Sequence, residues 1–167
     1  YTGGFTLPLL RAGATSIVGV DVSGPAIEWA RENLALNGLN DDRSRFVKAD
    51  AFEWLEASHE TGDRYEMVIL DPPRMARSER GLKGALRGYL RLNEAAVRCL
   101  EPGGILVTCS CTGRISRDRF LGLLGEVERR TTRRIRVVEQ HAQPADHPVA
   151  PTCLETAYLK CLIAVVE

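Results

Sequence analysis

Apolar and polar positions change their period several times along the chain, and each change marks an element. Short apolar runs read as buried strands of the kind found in parallel sheets. They fall at Ser16 to Asp21, Ser44 to Asp50, Met67 to Asp71 and Ile105 to Cys111. Between them apolar residues recur at helical spacing. Leu7 to Ala12 gives one or two turns of helix closing near Gly13. Ser23 or Gly24 caps a second helix, with Pro25 in its first turn, Ile27, Ala30, Leu34 and Ala35 on its apolar stripe and an end near Asn37. Ala51 to about Glu60 carries Phe52, Trp54 and Leu55. A basic loop from Arg74 to Lys83 precedes a helix from about Ala85 to Cys99, and Ser116 caps another that runs to about Arg130. Pro102-Gly103-Gly104 reads as a turn. Arg136 to Glu139 and Tyr158 to Val166 are the last strands, and Gln140 to Glu155, with three of the eight prolines, is a long loop.

Strands alternating with helices imply an α/β fold, a doubly wound and mostly parallel sheet. The last strand comes after another with no helix between, so it is expected to run antiparallel. Three successive strands end in Asp21, Asp50 and Asp71, which would place three carboxylates along one sheet edge, where open α/β sheets build ligand sites. Met67-Val-Ile-Leu-Asp-Pro-Pro-Arg74 is the sharpest of these. Pro72 and Pro73 cannot continue a ladder, so the strand must stop at Asp71, and the stiff Pro-Pro pair holds the next residues at a set distance from it. An ordinary strand and loop would look the same over these eight residues.

The totals narrow the class. With 167 residues, 44% hydrophobic and 26% charged, the chain can bury one proper core, and no apolar run approaches the ~20 residues that span a bilayer. The formal net charge is zero, so any basic surface must be local. Five cysteines (Cys99, Cys109, Cys111, Cys153, Cys161) are an odd count without framework spacing, which suits free thiols in a reducing compartment. Cys109 and Cys111 lack the CxxC spacing of redox or zinc sites, and no metal cluster is expected. Tyr1-Thr2-Gly3-Gly4, with no initiator Met and no signal-like segment, reads as the start of a piece of something longer.

Gly3-Gly4 followed eighteen positions on by Asp21 resembles a nucleotide-binding arrangement, in which glycines let the backbone approach a ligand and an acid accepts from ribose hydroxyls. The G-x-G-x-x-G fingerprint is absent, which counts against a nicotinamide-dependent dehydrogenase. A ribose ligand without phosphates, such as S-adenosylmethionine (SAM), fits better; a glycine turn and a capping Asp remain open. Asp50-Ala51 would neighbour an adenine, or Asp50 is simply a helix cap. In Thr108-Cys-Ser-Cys-Thr-Gly113, Cys111 lies nearest the strand end, and Cys109 reads as a buried small hydrophobe. A thiol beside an Asp at that edge suits methylation at C5 of a pyrimidine. The thiolate adds to C6 and makes C5 nucleophilic, while Asp71 assists at N3.

Arg74 to Arg98 holds seven basic residues against two acidic ones, with Arg87, Arg91 and Arg98 at helical spacing. A charge run of this kind is ordinarily a solvated face; because it begins just after Asp71, phosphate contacts from Arg74, Arg77, Lys83 and Arg87 are the other expectation. A second basic run, Arg129 to Arg136, reads as surface. His141 and His147 are left without a role, and a His before Pro reads as a turn residue.

Together, Tyr1-Thr-Gly-Gly-Phe5, Asp71-Pro-Pro-Arg74, Arg87-Gly-Tyr89, Leu92-Asn93, Ser110-Cys-Thr-Gly113, Gln143-Pro-Ala-Asp-His-Pro148 and Glu155-Thr-Ala-Tyr-Leu-Lys160 resemble the catalytic domain of the bacterial ribosomal RNA cytosine-C5 methyltransferase family (RlmI-like). The resemblance covers essentially the whole chain. It implies a class I SAM-dependent fold, a cytoplasmic enzyme, ribosomal RNA as partner and S-adenosylhomocysteine as product. By position it implies that Tyr1, Thr2, Gly3, Gly4 and Phe5 line the methionine part of SAM. It further implies that Asp21 with Val22 holds the ribose, that Asp50 with Ala51 neighbours the adenine, that Asp71 serves cofactor and base, and that Cys111 is the nucleophile. Members also carry an upstream PUA-type RNA-binding domain and a first central strand before the Tyr1-Thr2-Gly3 turn. Both are expected to be missing from this stretch, which should then bind RNA poorly alone. No membrane partner is implied, and a homodimer is left open. Many RNA cytosine-C5 enzymes have a second Cys after the proline of the Asp71-type motif. Pro73-Arg74 stands there instead, as in uracil-C5 enzymes, so uracil, an exocyclic amine and a non-catalytic RNA-binding module stay in view.

Overall fold

A computed structural model describes residues 1–39 and 42–167. The chain forms two compact units, residues 1–57 and 58–167. In the first, β1 (Ile17–Asp21) and β2 (Ser44–Lys48) pair in parallel, accompanied by α1 (Thr6–Arg11), α2 (Gly24–Leu36) and most of α3 (Ala51–Thr61). The second holds β3 (Tyr65–Leu70), α4 (Leu82–Cys99), β4 (Leu100–Ser110), α5 (Arg117–Thr131), β5 (Ile135–His141) and β6 (Lys160–Val166). Its sheet has the order β3-β4-β6-β5. β3 and β4 are parallel, and β6 runs antiparallel to both neighbours, as its place after another strand requires.

In the first unit α2 begins where expected. Ser23 Oγ accepts from the Ala26 amide, Pro25 occupies the first turn, and Ile27, Ala30 and Leu34 are buried. Ala35 is exposed, a correction to the expected stripe: the buried face is narrower than the apolar run. Gly19 is required by close approach, because a Cβ there would lie 2.6 Å from the Phe46 ring across the β1–β2 pair.

In the second unit α4 and α5 pack on one face of the sheet. Tyr89, Leu92, Ala96 and Val97 of α4, Phe120, Leu124 and Val127 of α5, and Leu106, Leu162, Ala164 and Val166 of the sheet are buried. The Tyr89 and Phe120 rings stand edge to face, 5.5 Å apart. Several boundaries differ from the sequence expectation, and three of these differences change how a segment is read. α4 starts at Leu82, preceded by a 3-10 turn at Glu79–Gly81, so the basic loop is shorter. Pro102-Gly103-Gly104 lies inside β4 as an irregularity: Tyr65 pairs with Leu100 and Met67 with Ile105, so the extra residues loop out of the ladder without ending it. A 3-10 turn, Leu154–Thr156, interrupts the long loop.

The second basic run is also more than surface. Arg129 and Arg130 do pair with Glu126. Arg133, half-buried, donates to the carbonyls of Val97 (2.9 Å), Leu100, Glu101 (3.0 Å) and Val166 (3.3 Å). Burial lowers its pKa from the ordinary value. A planar guanidinium with five donors can satisfy carbonyls that no amide reaches.

Candidate active site

The site residues of the first unit gather at the carboxyl ends of its two strands. The Tyr1 to Phe5 turn is held from α2: Asn33 Nδ2 donates to the Thr2 carbonyl at 3.0 Å, and Gly3, at φ +78°, lies against Ala30 and Leu34. Asp21 closes β1, and its Oδ1 accepts from the Ser23 amide at 2.8 Å. Asp50 stands two residues beyond β2 and caps α3, its Oδ1 accepting from Phe52 (2.8 Å) and Glu53 (3.3 Å). Asp50 is therefore a cap in fact. One oxygen of each carboxylate is turned to backbone amides; Asp21 Oδ2 lies 3.8 Å from the Tyr1 nitrogen, and the second oxygen of Asp50 is the atom that could accept from a ligand. Tyr1, Phe5 and Val22 expose apolar surface, at 79%, 44% and 62%. Carboxylate acceptors, an open glycine turn and apolar side chains together fit a nucleoside carrying an uncharged or cationic tail, and SAM has that composition. Ala51 opens α3 and is exposed.

The second unit brings together Cys111 and the Asp71 turn. β3 stops at Leu70, and Asp71 is the first residue beyond it. β4 stops at Ser110, and Cys111 is the first residue beyond that, half-exposed. Since β3 and β4 are parallel neighbours with Leu70 opposite Thr108, Cys111 leaves the sheet two residues beyond the level of Asp71, beside the Pro-Pro turn. Cys111 Sγ lies 3.9 Å from the Pro72 carbonyl oxygen, a weak S–H···O contact. Asp71 is solvent-accessible, yet partial desolvation raises its carboxyl pKa from the ordinary value. The loop beyond Asp71 closes on α4 through Gly88, where a Cβ would meet the Met75 sulfur at 3.0 Å.

Around Cys111 the chain is pinned by groups whose role the sequence did not disclose. Ser110 and Thr112 are both buried. The Tyr89 hydroxyl, from α4, lies 3.1 Å from Thr112 Oγ1 and is also bonded to Ser110; burial raises its pKa above the ordinary value. Lys160, at the start of β6, donates from Nζ to the carbonyls of Thr112 and Tyr158, each at 2.7 Å. Cys109 is buried and faces Cys161 across the β4–β6 pair, as a small hydrophobe beside a second thiol.

Arg74, Arg77, Lys83 and Arg87 are all exposed, the first two on the loop and the last two on α4. Arg98, further along the same helix, pairs with Glu94 at 2.8 Å. His147 donates its amide to the Pro144 carbonyl, as a turn residue does, and His141 pairs with Glu139 at 2.6 Å.

Carboxylates at strand ends, on strands that alternate with helices, fit an α/β domain that binds a nucleoside. Residues 1–164 match the model of the S-adenosylmethionine-dependent methyltransferase family, and the chain belongs to that family. It is 40% identical over 160 residues to the ribosomal RNA large subunit methyltransferase I of Salmonella arizonae, covering 96% of this chain and 40% of that protein. The chain thus spans about two-fifths of the curated relatives it matches. Its fold resembles the crystal structure of SMU.776 complexed with SAH, with a TM-score of 0.86 at 18% identity over 99% of this chain and 43% of that one. It also resembles a SAM-dependent methyltransferase from Agrobacterium tumefaciens, with a TM-score of 0.71 at 24% identity over 100% and 53% of the two chains.

Proposed function

We propose that the protein methylates C5 of a cytosine in large-subunit ribosomal RNA through a covalent adduct of Cys111. The observation that carries this reading is the pairing of Cys111 with the Asp71-Pro72 turn at the carboxyl ends of two adjacent parallel strands. The name of the 40%-identical relative supports the substrate. Bound SAM would be held by the Tyr1 to Phe5 turn, Asp21 with Val22, and Asp50 with Ala51, and would supply an electrophilic methyl group. Cys111, as thiolate, adds to C6 of the pyrimidine, and the ring electrons displaced from the C5–C6 bond make C5 the nucleophile. Asp71, its carboxyl kept protonated to a higher pH by desolvation, donates to N3 and steadies the charge that develops there. After transfer, loss of the C5 proton restores the double bond as the sulfur leaves. Arg74, Arg77, Lys83 and Arg87 would contact phosphates of the RNA. Arg74 in the place of a second Cys keeps uracil-C5 methylation as the second reading.

The test is methyl transfer from labelled SAM to unmodified large-subunit RNA by the intact protein, with product nucleosides identified by mass spectrometry. The expected product is 5-methylcytidine. Methyl on uridine would change the substrate and keep the mechanism, and methyl on an exocyclic nitrogen would overturn the Cys111 adduct.

A further inference from the structure

Lys160 is 5% exposed, although lysine rarely goes inside without a counter-ion. Among the described residues no carboxylate pairs with it. Its ammonium is held by the carbonyls of Thr112 and Tyr158, both at a length typical of charge-assisted bonds. Its backbone stands opposite Ser110 in the β4–β6 register. Lys160 therefore grips the chain on both sides of Cys111, by pairing with Ser110 before it and by Nζ to Thr112 after it. The groups that bear on its charge are few. The Cys111 thiolate favours the ammonium, and Arg117 of α5 and Arg74 of the loop after β3 oppose it. Burial lowers its pKa to about 8, so near neutral pH the side chain is still a cation.

We propose that Lys160 is a positioning residue for Cys111, clamping the turn that carries the thiol and setting a positive charge against its thiolate. This rests on the reading of Cys111 as the nucleophile.

The experiment is the rate of Cys111 alkylation by iodoacetamide against pH, resolved peptide by peptide by mass spectrometry so that Cys109 and Cys161 are scored separately. It is run on the intact protein and on Lys160→Met and Lys160→Arg. Removing the cation is expected to slow alkylation of Cys111 at pH 7 about tenfold. Lys160→Arg, which keeps the charge, should restore the rate to within about threefold. Superposable profiles for the wild type and Lys160→Met overturn the proposal. Should Lys160→Met fail to fold by circular dichroism, Lys160→Gln, which keeps a donor for the carbonyls without the charge, is read in the same way. Trapping on RNA containing 5-fluorocytidine separates the two readings. Slowed alkylation without a trapped adduct overturns Cys111 as nucleophile and leaves the grip of Lys160 on the thiol standing.

Discussion

The Tyr89 hydroxyl lies 3.1 Å from Thr112 Oγ1, and neither side chain is open to solvent. A residue in the middle of α4 thus reaches the position just after the proposed nucleophile, and the helix, the core and the reactive turn are held by one contact. Tyr89→Phe should lower the free energy of unfolding by about 1–2 kcal/mol, since a buried hydroxyl is left without its partner. Urea denaturation measures this, and an unchanged midpoint would show that the contact carries no weight. Methyl transfer should fall while the KM for SAM stays the same, because the turn is displaced and the cofactor residues are not.

The protonation of Lys160 predicts how stability depends on pH. Its pKa is lowered on folding from 10.5 to about 8, chiefly by desolvation. Between those values the unfolded chain keeps the proton and the folded protein has released it. Stability should therefore rise with pH through that window, by up to about 3 kcal/mol, and this contribution should be flat below it. Denaturation of the wild type and Lys160→Met across the window isolates the effect from other titrating groups. Parallel curves for the two proteins would be incompatible with a buried, titrating Lys160.

Asp50 caps α3 through Oδ1, so its removal mixes two effects. Asp50→Ala should cost about 1 kcal/mol of stability from the lost cap. Asp50→Ser keeps a capping oxygen and should recover most of that stability. If the carboxylate also serves SAM, both variants should weaken SAM binding about equally, as read by calorimetry on the intact protein. Full SAM affinity in Asp50→Ser would reduce Asp50 to a cap.

Gly19 faces Phe46, with 2.6 Å available to any added Cβ. Gly19→Ala must displace the ring or bend the strand, and should destabilise by about 1–3 kcal/mol. A thermal melt of the variant tests this, and a midpoint equal to that of the wild type would show that the β1–β2 pair relaxes freely.

Much of this was legible in the sequence because local signals agreed with one another. Ser23 and Pro25 announced α2, Pro72 and Pro73 stopped β3, and the step from strand to strand without a helix set the direction of β6. The irregularity at 102–104 was not legible, since Pro-Gly-Gly reads as a turn whether the chain reverses there or only bulges. Lys160 was hidden for a different reason. Both faces of β6 are apolar, Cys161-Ile163-Val165 on one and Leu162-Ala164-Val166 on the other, so alternation alone could not say which face enters the core. Once the face with Leu162 and Ala164 is the buried one, Lys160 goes inward with them. Arg133 was hidden likewise, because the carbonyls it reaches are distant in sequence.

Arg133 sets how the second unit yields. The end of α4, the start of β4 and the end of β6 share its guanidinium, so none of them can fray without breaking bonds that hold the other two. Element ends are ordinarily the first parts of a protein to open, each on its own schedule. The end of the sheet opposite Cys111 is therefore expected to open as one block, its amide protons exchanging with solvent together.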